Sequence, residues 1–285
     1  TDLIDEKEYE LTATIDADTK LHPNWVKNSL KYHKDPQVAA TFGWVQLWED
    51  KSYGKLKATR KFEYKYLLPL LRTLFNPRSH WTVAGSNVLY KTSILKKYPI
   101  PEHMKENAAE DLLHTVLLQS LGYKIIFVPE AIAYSKEELD LEGFFKQSTR
   151  WLKGTWYVLL EYILPNKEVI NKLTKLHKLQ IGAFFTLPYY LISINMSLIY
   201  GLISQNSAYL IWPTIDYLSF FTLATLSYYK YKNISSNSLS FKELLIRYPI
   251  FYFTRNLMLL PYFKGLKEYI NLKRNKDITN KRQHF

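Results

Sequence analysis

Hydrophobic and polar positions divide this chain into two unlike parts. Leu11–Ile15 (LTATI) is a short β-prone run ending at Asp16, and Pro23 opens a helical stretch to about His33. Residues 37–47 (QVAATFGWVQL) predict the next strand, and a long helical pattern runs from Lys55 to about Leu74. Residues 81–84 and 88–90 read as extended segments around Gly85-Ser86-Asn87. Residues 110–121 predict a helix stopped by Gly122, after which residues 124–128 return as a strand. From Leu139 to about Ile163 the spacing predicts a long, aromatic, amphipathic helix. Strand and helix in alternation predict an α/β layer fold with ligands at the carboxyl ends of strands. No internal repeat or low-complexity linker interrupts it.

Beyond the amphipathic helix the pattern loses its polar face. From Leu179 to Tyr229, 51 residues, the only formally charged side chain is Asp216. Residues 179–204 carry no charge over 26 positions, and residues 207–229 form a second apolar stretch, divided from the first by Gln205-Asn206. Each exceeds the roughly 20 residues needed to cross a hydrocarbon core. A pair of buried core helices would also be apolar, but such length without a polar face favours membrane spans. A third segment, residues 244–263, contains Arg247 and Arg255, which are costly at mid-bilayer. It reads as a span facing a protein-lined pore or as an interfacial helix. Lys264, Lys267, Lys273, Arg274, Lys276, Lys281 and Arg282 then form a basic tail expected on the cytoplasmic side. Two spans return that tail to the side of the N-terminal part, so two spans plus an interfacial or re-entrant third element fit best. The expected division is 1–138, 139–176, 177–265 and 266–285.

Composition narrows the chemistry. With 285 residues, 47% hydrophobic and 16% aromatic, the chain can bury a substantial core and is neither a disordered tail nor a fibre. The absence of cysteine excludes a disulfide framework, a thiolate zinc site and a cysteine nucleophile. A net charge of +12, from 38 Lys plus Arg against 26 Asp plus Glu, would suit nucleic acid or an anionic membrane. Juxtamembrane lysines need no partner beyond the lipid bilayer, so no nucleic acid is expected. The mean hydropathy of −0.22 is an average over the two unlike parts.

Four constellations sit where the predicted elements end. Asp16-Ala17-Asp18 places two carboxylates at the end of a strand, where they can share a hard divalent cation with substrate phosphates. An Asp-rich turn is the commoner explanation of an isolated Asp-x-Asp. Ala84-Gly85-Ser86-Asn87 is a tight turn whose small residues allow close approach of a ligand, or simply a structural turn. Ala109-Glu110-Asp111 opens a helix, where carboxylates favour the dipole. The functional reading is a general base for an attacking hydroxyl. In Gln147-Ser148-Thr149-Arg150-Trp151, helical spacing puts Gln147, Arg150 and Trp151 on one face. Arg can neutralise a phosphate leaving group and Trp can stack on a sugar or fill core.

In this order, ahead of the apolar stretches, DAD, AGSN, AED and QSTRW resemble the membrane-bound family 2 glycosyltransferases, the group of cellulose, chitin, hyaluronan and poly-N-acetylglucosamine synthases. The resemblance implies a GT-A (Rossmann-like) α/β domain followed by transmembrane helices. It implies an inverting hexosyltransferase that takes a sugar from a nucleotide-sugar donor, usually a UDP-sugar, at the cytoplasmic face of the plasma membrane. Asp16 and Asp18 would bind the donor diphosphate through Mg²⁺ or Mn²⁺, with Asp18 the more direct ligand. Asp111 would be the base and Glu110 its neighbour. Gln147 and Arg150 would hold the diphosphate. Trp151, with Gly85, Ser86 and Asn87, would face the acceptor. A single displacement needs no enzyme nucleophile, in keeping with the lack of any Ser-His-Asp signal.

Only 15 residues precede Asp16. The resemblance implies two or three upstream βα units, at roughly 30 residues each, for the base and ribose. The expectation is therefore the C-terminal portion of a longer enzyme, which by itself would not hold the donor tightly. Two products fit: a growing β-linked glycan, favoured by QSTRW, or a single sugar added to a lipid acceptor. A catalytically dead scaffold would have lost Asp16, Asp18, Asp111 or Arg150, and all are present. None of the seven histidines has metal-binding spacing, and His114, one helical turn after Glu110, could tune it but reads better as packed or solvated. Arg72 and Arg78 could reach the acceptor or donor, but solvation at the surface is the favoured reading of both.

Overall fold

The computed structural model describes residues 9–47, 55–83, 85–100, 104, 109–136, 140–234 and 240–282, with side chains described outside 55–58 and as far as 274. Ala84 of the predicted turn, Leu139 of the predicted helix start and the side chains of Lys276, Lys281 and Arg282 lie outside the described residues.

Five strands form one mixed sheet: β1 (Leu11–Ile15), β2 (Thr19–Leu21), β3 (Val38–Leu47), β4 (Asn87–Lys91) and β5 (Lys124–Ser135). Their order is β1-β4-β3-β5-β2. β3 and β5 are parallel, with Phe42 opposite Phe127, while β4 runs antiparallel to both β1 and β3. β2, unforeseen in the sequence, is a three-residue edge strand antiparallel to β5. All ten residues of β3 are buried, which explains its continuous apolar run: a strand covered on both faces has no polar side to show. Gly43 lies at an irregularity in the β3–β5 register, where a Cβ would stand 1.9 Å from the Ala131 carbonyl oxygen. A side chain there would force the strands apart.

Helix α1 (Trp25–Leu30) covers one face, where Trp25 packs with Leu89, Val128, Ala131 and Ala133. The other face takes a long helix, made of α2 (Lys55–Phe62), a π-helical turn (Glu63–Leu67) and α3 (Leu68–Phe75). Phe62, Tyr66, Leu67 and Leu70 bury against Phe42, Trp44 and Phe127. Trp44 Nε1 donates to the Tyr64 carbonyl at 2.8 Å, tying the sheet to the π turn. A short helix, α4 (Thr92–Lys97), follows β4, and α5 (Glu110–Ser120) leads to β5.

The predicted amphipathic helix is α6 (Leu141–Val158), capped by Asp140, whose carboxylate accepts from Gly143 N at 2.6 Å, and extended by a π turn (Leu159–Ile163). After α7 (Lys167–Lys172) come α8 (Lys175–Ser204), α9 (Ile211–Tyr231), α10 (Phe241–Thr254) and α11 (Leu259–Arg282). Among the described residues, α8 is the one helix long and apolar enough to cross a membrane, and Leu179, Tyr189 and Ile203 on it are exposed.

α9 and α10 join the same core as the sheet through Ala224, Tyr231, Leu244, Tyr248 and Phe251. The charges that stand out in this apolar part are paired. Asp216 of α9 accepts from Arg255 and from Tyr190 of α8, and the Arg255 guanidinium lies 4.3 Å from the Tyr252 ring centre. Arg247 is bonded to Glu243 at 2.8 Å, and Glu243 also takes Lys65 of the π turn at 3.0 Å. α11 packs on α6 and α8 through Tyr262, Tyr269 and Trp156.

Candidate functional site

The pairing of β1 with β4 brings two of the sequence constellations together. Ile15 is opposite Asn87, so Asp16 leaves β1 where Gly85-Ser86 enters β4. Asp16 N donates to the Ser86 carbonyl at 3.4 Å, and Thr14 Oγ1 to the Gly85 carbonyl at 3.5 Å. The carboxyl ends of β1, β3 and β5 and the amino end of β4 share this edge of the sheet, where backbone turns leave room for a ligand.

α5 starts at the same turn. A Cβ added to Gly85 would lie 3.5 Å from Asp111 Oδ2, so this glycine lets the turn rest against the carboxylate. Asp111 Oδ1 accepts from Leu112 N at 2.7 Å, and the Thr82 hydroxyl and Gly85 amide also bond the carboxylate. Burial pushes the Asp111 carboxyl up to about 6, Glu110 adds to the rise, and those hydrogen bonds hold it back. Thr115 locks the helix to the loop: its hydroxyl donates to the Asp111 carbonyl at 2.6 Å and accepts from Val83 N at 3.2 Å. A carboxylate poised there can take a proton near neutral pH.

Asp16 and Asp18 are both open to solvent. Partial burial and the neighbouring Asp18 raise the Asp16 carboxyl above its usual value, and Arg150 opposes the rise. Arg150 of α6 is thereby a cation near Asp16, and it forms no ion pair among the described residues. No group of three or more His, Asp or Glu that could hold a metal ion occurs among the described residues. Two neighbouring carboxylates whose charges repel still fit a hard divalent cation that draws its remaining oxygens from a diphosphate and water.

Along α6, Ser148 and Thr149 are buried, as is the Oε1 atom of Gln147, which has no protein partner. Trp151 is half-buried. Its ring centre lies 5.7 Å from the guanidinium of Arg60 on α2, which also sits 5.7 Å from Phe144 and is bonded to Glu63 at 2.8 Å. Asn87 departs from its expected place against an acceptor. It is fully buried, with Oδ1 accepting from Gly43 N and, at 3.4 Å, from Trp25 Nε1. Its amide oxygen clasps the sheet and its Nδ2 is buried without a partner among the described residues, which takes the side chain off the ligand-facing surface. His114 is packed, bonded at 2.8 Å to the Tyr98 carbonyl and set against Tyr90.

The sequence reading did not single out Arg60 or Tyr64, and it named Arg72 without its setting. Arg60, Tyr64 and Arg72 lie along α2, the π turn and α3, with Arg60 Nη2 donating to the Tyr64 hydroxyl at 3.3 Å. The four-residue step from Arg60 to Tyr64 was visible, but not the sheet face that the helix would cover. Arg72 corrects the expectation of a solvated surface cation, because it lies over the buried Phe42 and Phe127 rings. Arg78 is exposed as expected and donates to Gln37 at 3.1 Å.

Residues 11–232 match the family profile described as "Glycosyl transferase family group 2". Among curated proteins, the chain is 33% identical over 82 residues to the "Probable glycosyltransferase YdaM" of Bacillus subtilis, covering 29% of this chain and 19% of that one. It is 22% identical over 289 residues to "Chitin synthase 4" of Neurospora crassa, covering 80% and 23%. The chain thus spans about a fifth of the length of these relatives. Among solved structures it resembles the mannosyltransferase PcManGT from Pyrobaculum calidifontis, in complex with GDP-Man and Mn²⁺, with a TM-score of 0.50 and 12% identity. That likeness covers 93% of this chain and 64% of the other, and it is one of fold.

Proposed function

The chain belongs to glycosyl transferase family group 2 and carries a GT-A-like fold of mixed sheet and helices, and from this premise we propose that it transfers a sugar with inversion from a nucleotide-sugar, a UDP-sugar, to a growing β-linked glycan at a membrane. One observation carries the reading. Asp111, with its carboxyl raised to about 6, rests against Gly85 at the sheet edge that also bears Asp16, and Arg150 faces Asp16. A base and a diphosphate-binding group on one edge are what a single displacement needs.

In that reaction the acceptor hydroxyl oxygen bonds to the anomeric carbon as the bond to the diphosphate oxygen breaks. The hydroxyl proton passes to Asp111, and the nucleoside diphosphate leaves with the bonding electrons. Glu110 keeps the Asp111 proton affinity high. Arg150 and the amide of Gln147 hold the departing diphosphate, whose charge grows in the transition state. Asp16 and Asp18 would hold Mg²⁺ or Mn²⁺, which when bound offsets that same charge. Trp151 offers the acceptor one ring face beside Arg60, and Gly85 and Ser86 offer backbone.

The membrane is the proposed setting. α8 is 30 residues long with exposed apolar side chains, and Lys264, Lys267, Lys273 and Arg274 lie on α11, suited to an anionic cytoplasmic leaflet. The test is incorporation of radiolabel from UDP-glucose or UDP-N-acetylglucosamine, with Mg²⁺ or Mn²⁺, into membranes carrying the chain or its Asp111→Asn variant. High-mass label that disappears in the variant supports a synthase with Asp111 as base. Label confined to a lipid extract replaces the polymer by a single addition, and label that survives Asp111→Asn overturns the assignment of the base.

A further inference from the structure

Arginines in covered positions of this fold are matched with carboxylates: Arg60 with Glu63 at 2.8 Å, Arg247 with Glu243 at 2.8 Å, and Arg255 with Asp216. Arg72 differs. Its guanidinium lies 5.4 Å from the ring centre of Phe42 and 5.8 Å from that of Phe127. These two rings are register partners on β3 and β5 and are buried. Among the described residues it has no hydrogen bond or ion pair, so its five N–H donors remain for something else. Stripping water from the group lowers its pKa, and the opposing influences are Tyr64 and Asp111. It remains a cation, since guanidinium does not lose its proton in proteins. Two ring faces and an Asp111 carboxylate that it does not contact offset only part of the cost of half-burying this cation, and an anionic ligand is the simplest further compensation.

Its place indicates which ligand. Asp16 answers to Asp18 and Arg150. Arg72 stands further along the long helix whose earlier residue Arg60 lies over Trp151, and its electrostatic neighbours are Tyr64 and Asp111. Arg150 and Arg72, neither ion-paired among the described residues, therefore have different carboxylate neighbours, Asp16 on the side proposed for the diphosphate and Asp111 on the side of the attacking hydroxyl.

We propose that Arg72 is a specificity-determining residue that receives an oxyanion of the acceptor, a phosphate ester or a sugar carboxylate, and so draws the acceptor hydroxyl toward Asp111. This rests on the reading of Asp111 as the base. The planar fork of Arg72 suits either anion through two parallel hydrogen bonds, and the Phe42 and Phe127 rings fix its plane.

The test uses the full chain in detergent and follows thermal unfolding with added anions. In EDTA, sn-glycerol 3-phosphate and glucuronate probe Arg72, and their separate responses distinguish a phosphate-bearing from a uronate-bearing acceptor. Pyrophosphate with Mn²⁺ probes the other side. At least one anion in EDTA should stabilise the protein, with affinity falling roughly tenfold or more in Arg72→Met and little in Arg150→Met. Arg72→Lys should keep part of it. Arg72→Met should unfold no earlier than the parent without ligand, because it removes a charge that has no direct ion pair and keeps the apolar stem. Absence of any Arg72-dependent stabilisation overturns the proposal. So does an equal loss of pyrophosphate–Mn²⁺ binding in Arg72→Met, which would put Arg72 on the donor side. Failure of the catalytic reading looks different: glycosyl transfer would survive Asp111→Asn while the Arg72 response stands.

Discussion

Asp111 is where function and stability should conflict most, and Asp111→Asn separates the two. Burial and Glu110 raise its carboxyl from 3.8 to about 6 in the folded protein. At roughly 1.4 kcal/mol for each tenfold change in proton affinity, the ionised form costs the native state about 3 kcal/mol. The folded state binds the proton more tightly than the unfolded chain, so stability falls as pH rises from about 4 to about 6, and the deficit is complete above about 7. An uncharged amide removes it. Asn retains an oxygen for the Leu112 amide, now at 2.7 Å, but turns its NH₂ toward the Gly85 N–H, which returns about 1 kcal/mol. The net gain is about 1–2 kcal/mol, or about 3–6 °C in unfolding temperature for a chain of this size. Tryptophan fluorescence during heating measures it at pH 8 and again at pH 4.5, where the parent carboxyl is already protonated and the gap should close. A variant no more stable than the parent at pH 8, or equally favoured at both pH values, refutes the claim that Asp111 is held ionised at a cost. Glycosyl transfer by the parent should decline below about pH 6, and the variant should lose about 10²–10⁴-fold of it.

Other consequences are as direct. Gly43→Ala should fail to accumulate as folded protein, because its Cβ would meet the Ala131 carbonyl oxygen at 1.9 Å and crowd the buried Asn87 Oδ1 and Trp25 Nε1 at 2.7 and 2.8 Å; limited proteolysis of expressed protein reads this. Asp216→Asn or Arg255→Met alone should cost about 3–5 kcal/mol by leaving one buried charge unmatched, whereas the double variant should recover most of it in unfolding experiments in detergent. Asp18→Asn should weaken Mn²⁺ binding, read by electron paramagnetic resonance with pyrophosphate present, and should lower the Asp16 carboxyl by removing its repelling neighbour.

Much of the catalytic geometry was legible because it is local. The strands at Leu11–Ile15 and Val38–Leu47, the helix at Glu110–Ser120 and the capped helix at Leu141–Val158 follow from pattern, glycine stops and cap residues, all acting within a few positions. β2 was not legible, since three residues carry too little periodicity, and although the segment at 88–90 read as extended, its antiparallel pairing as β4, which seats Gly85-Ser86 beside Asp16, was not. The apolar stretches were found, but their relation to the rest was not. α9 and α10 pack into the core of the sheet, and the one charge of the first two stretches, Asp216, is matched by Arg255 from the third.

By itself, then, the order of DAD, AGSN, AED and QSTRW determined the family and the chemistry to look for, because those residue types carry their reactivity with them wherever they fold. Only the tertiary structure decided what surrounds each one. It withdrew Asn87 into the sheet, raised Asp111 by burying it against Gly85, and turned Arg72 from a presumed surface cation into a covered one on Phe42 and Phe127. Burial and charge at a site come from neighbours distant in sequence, and no local pattern encodes which neighbours those will be.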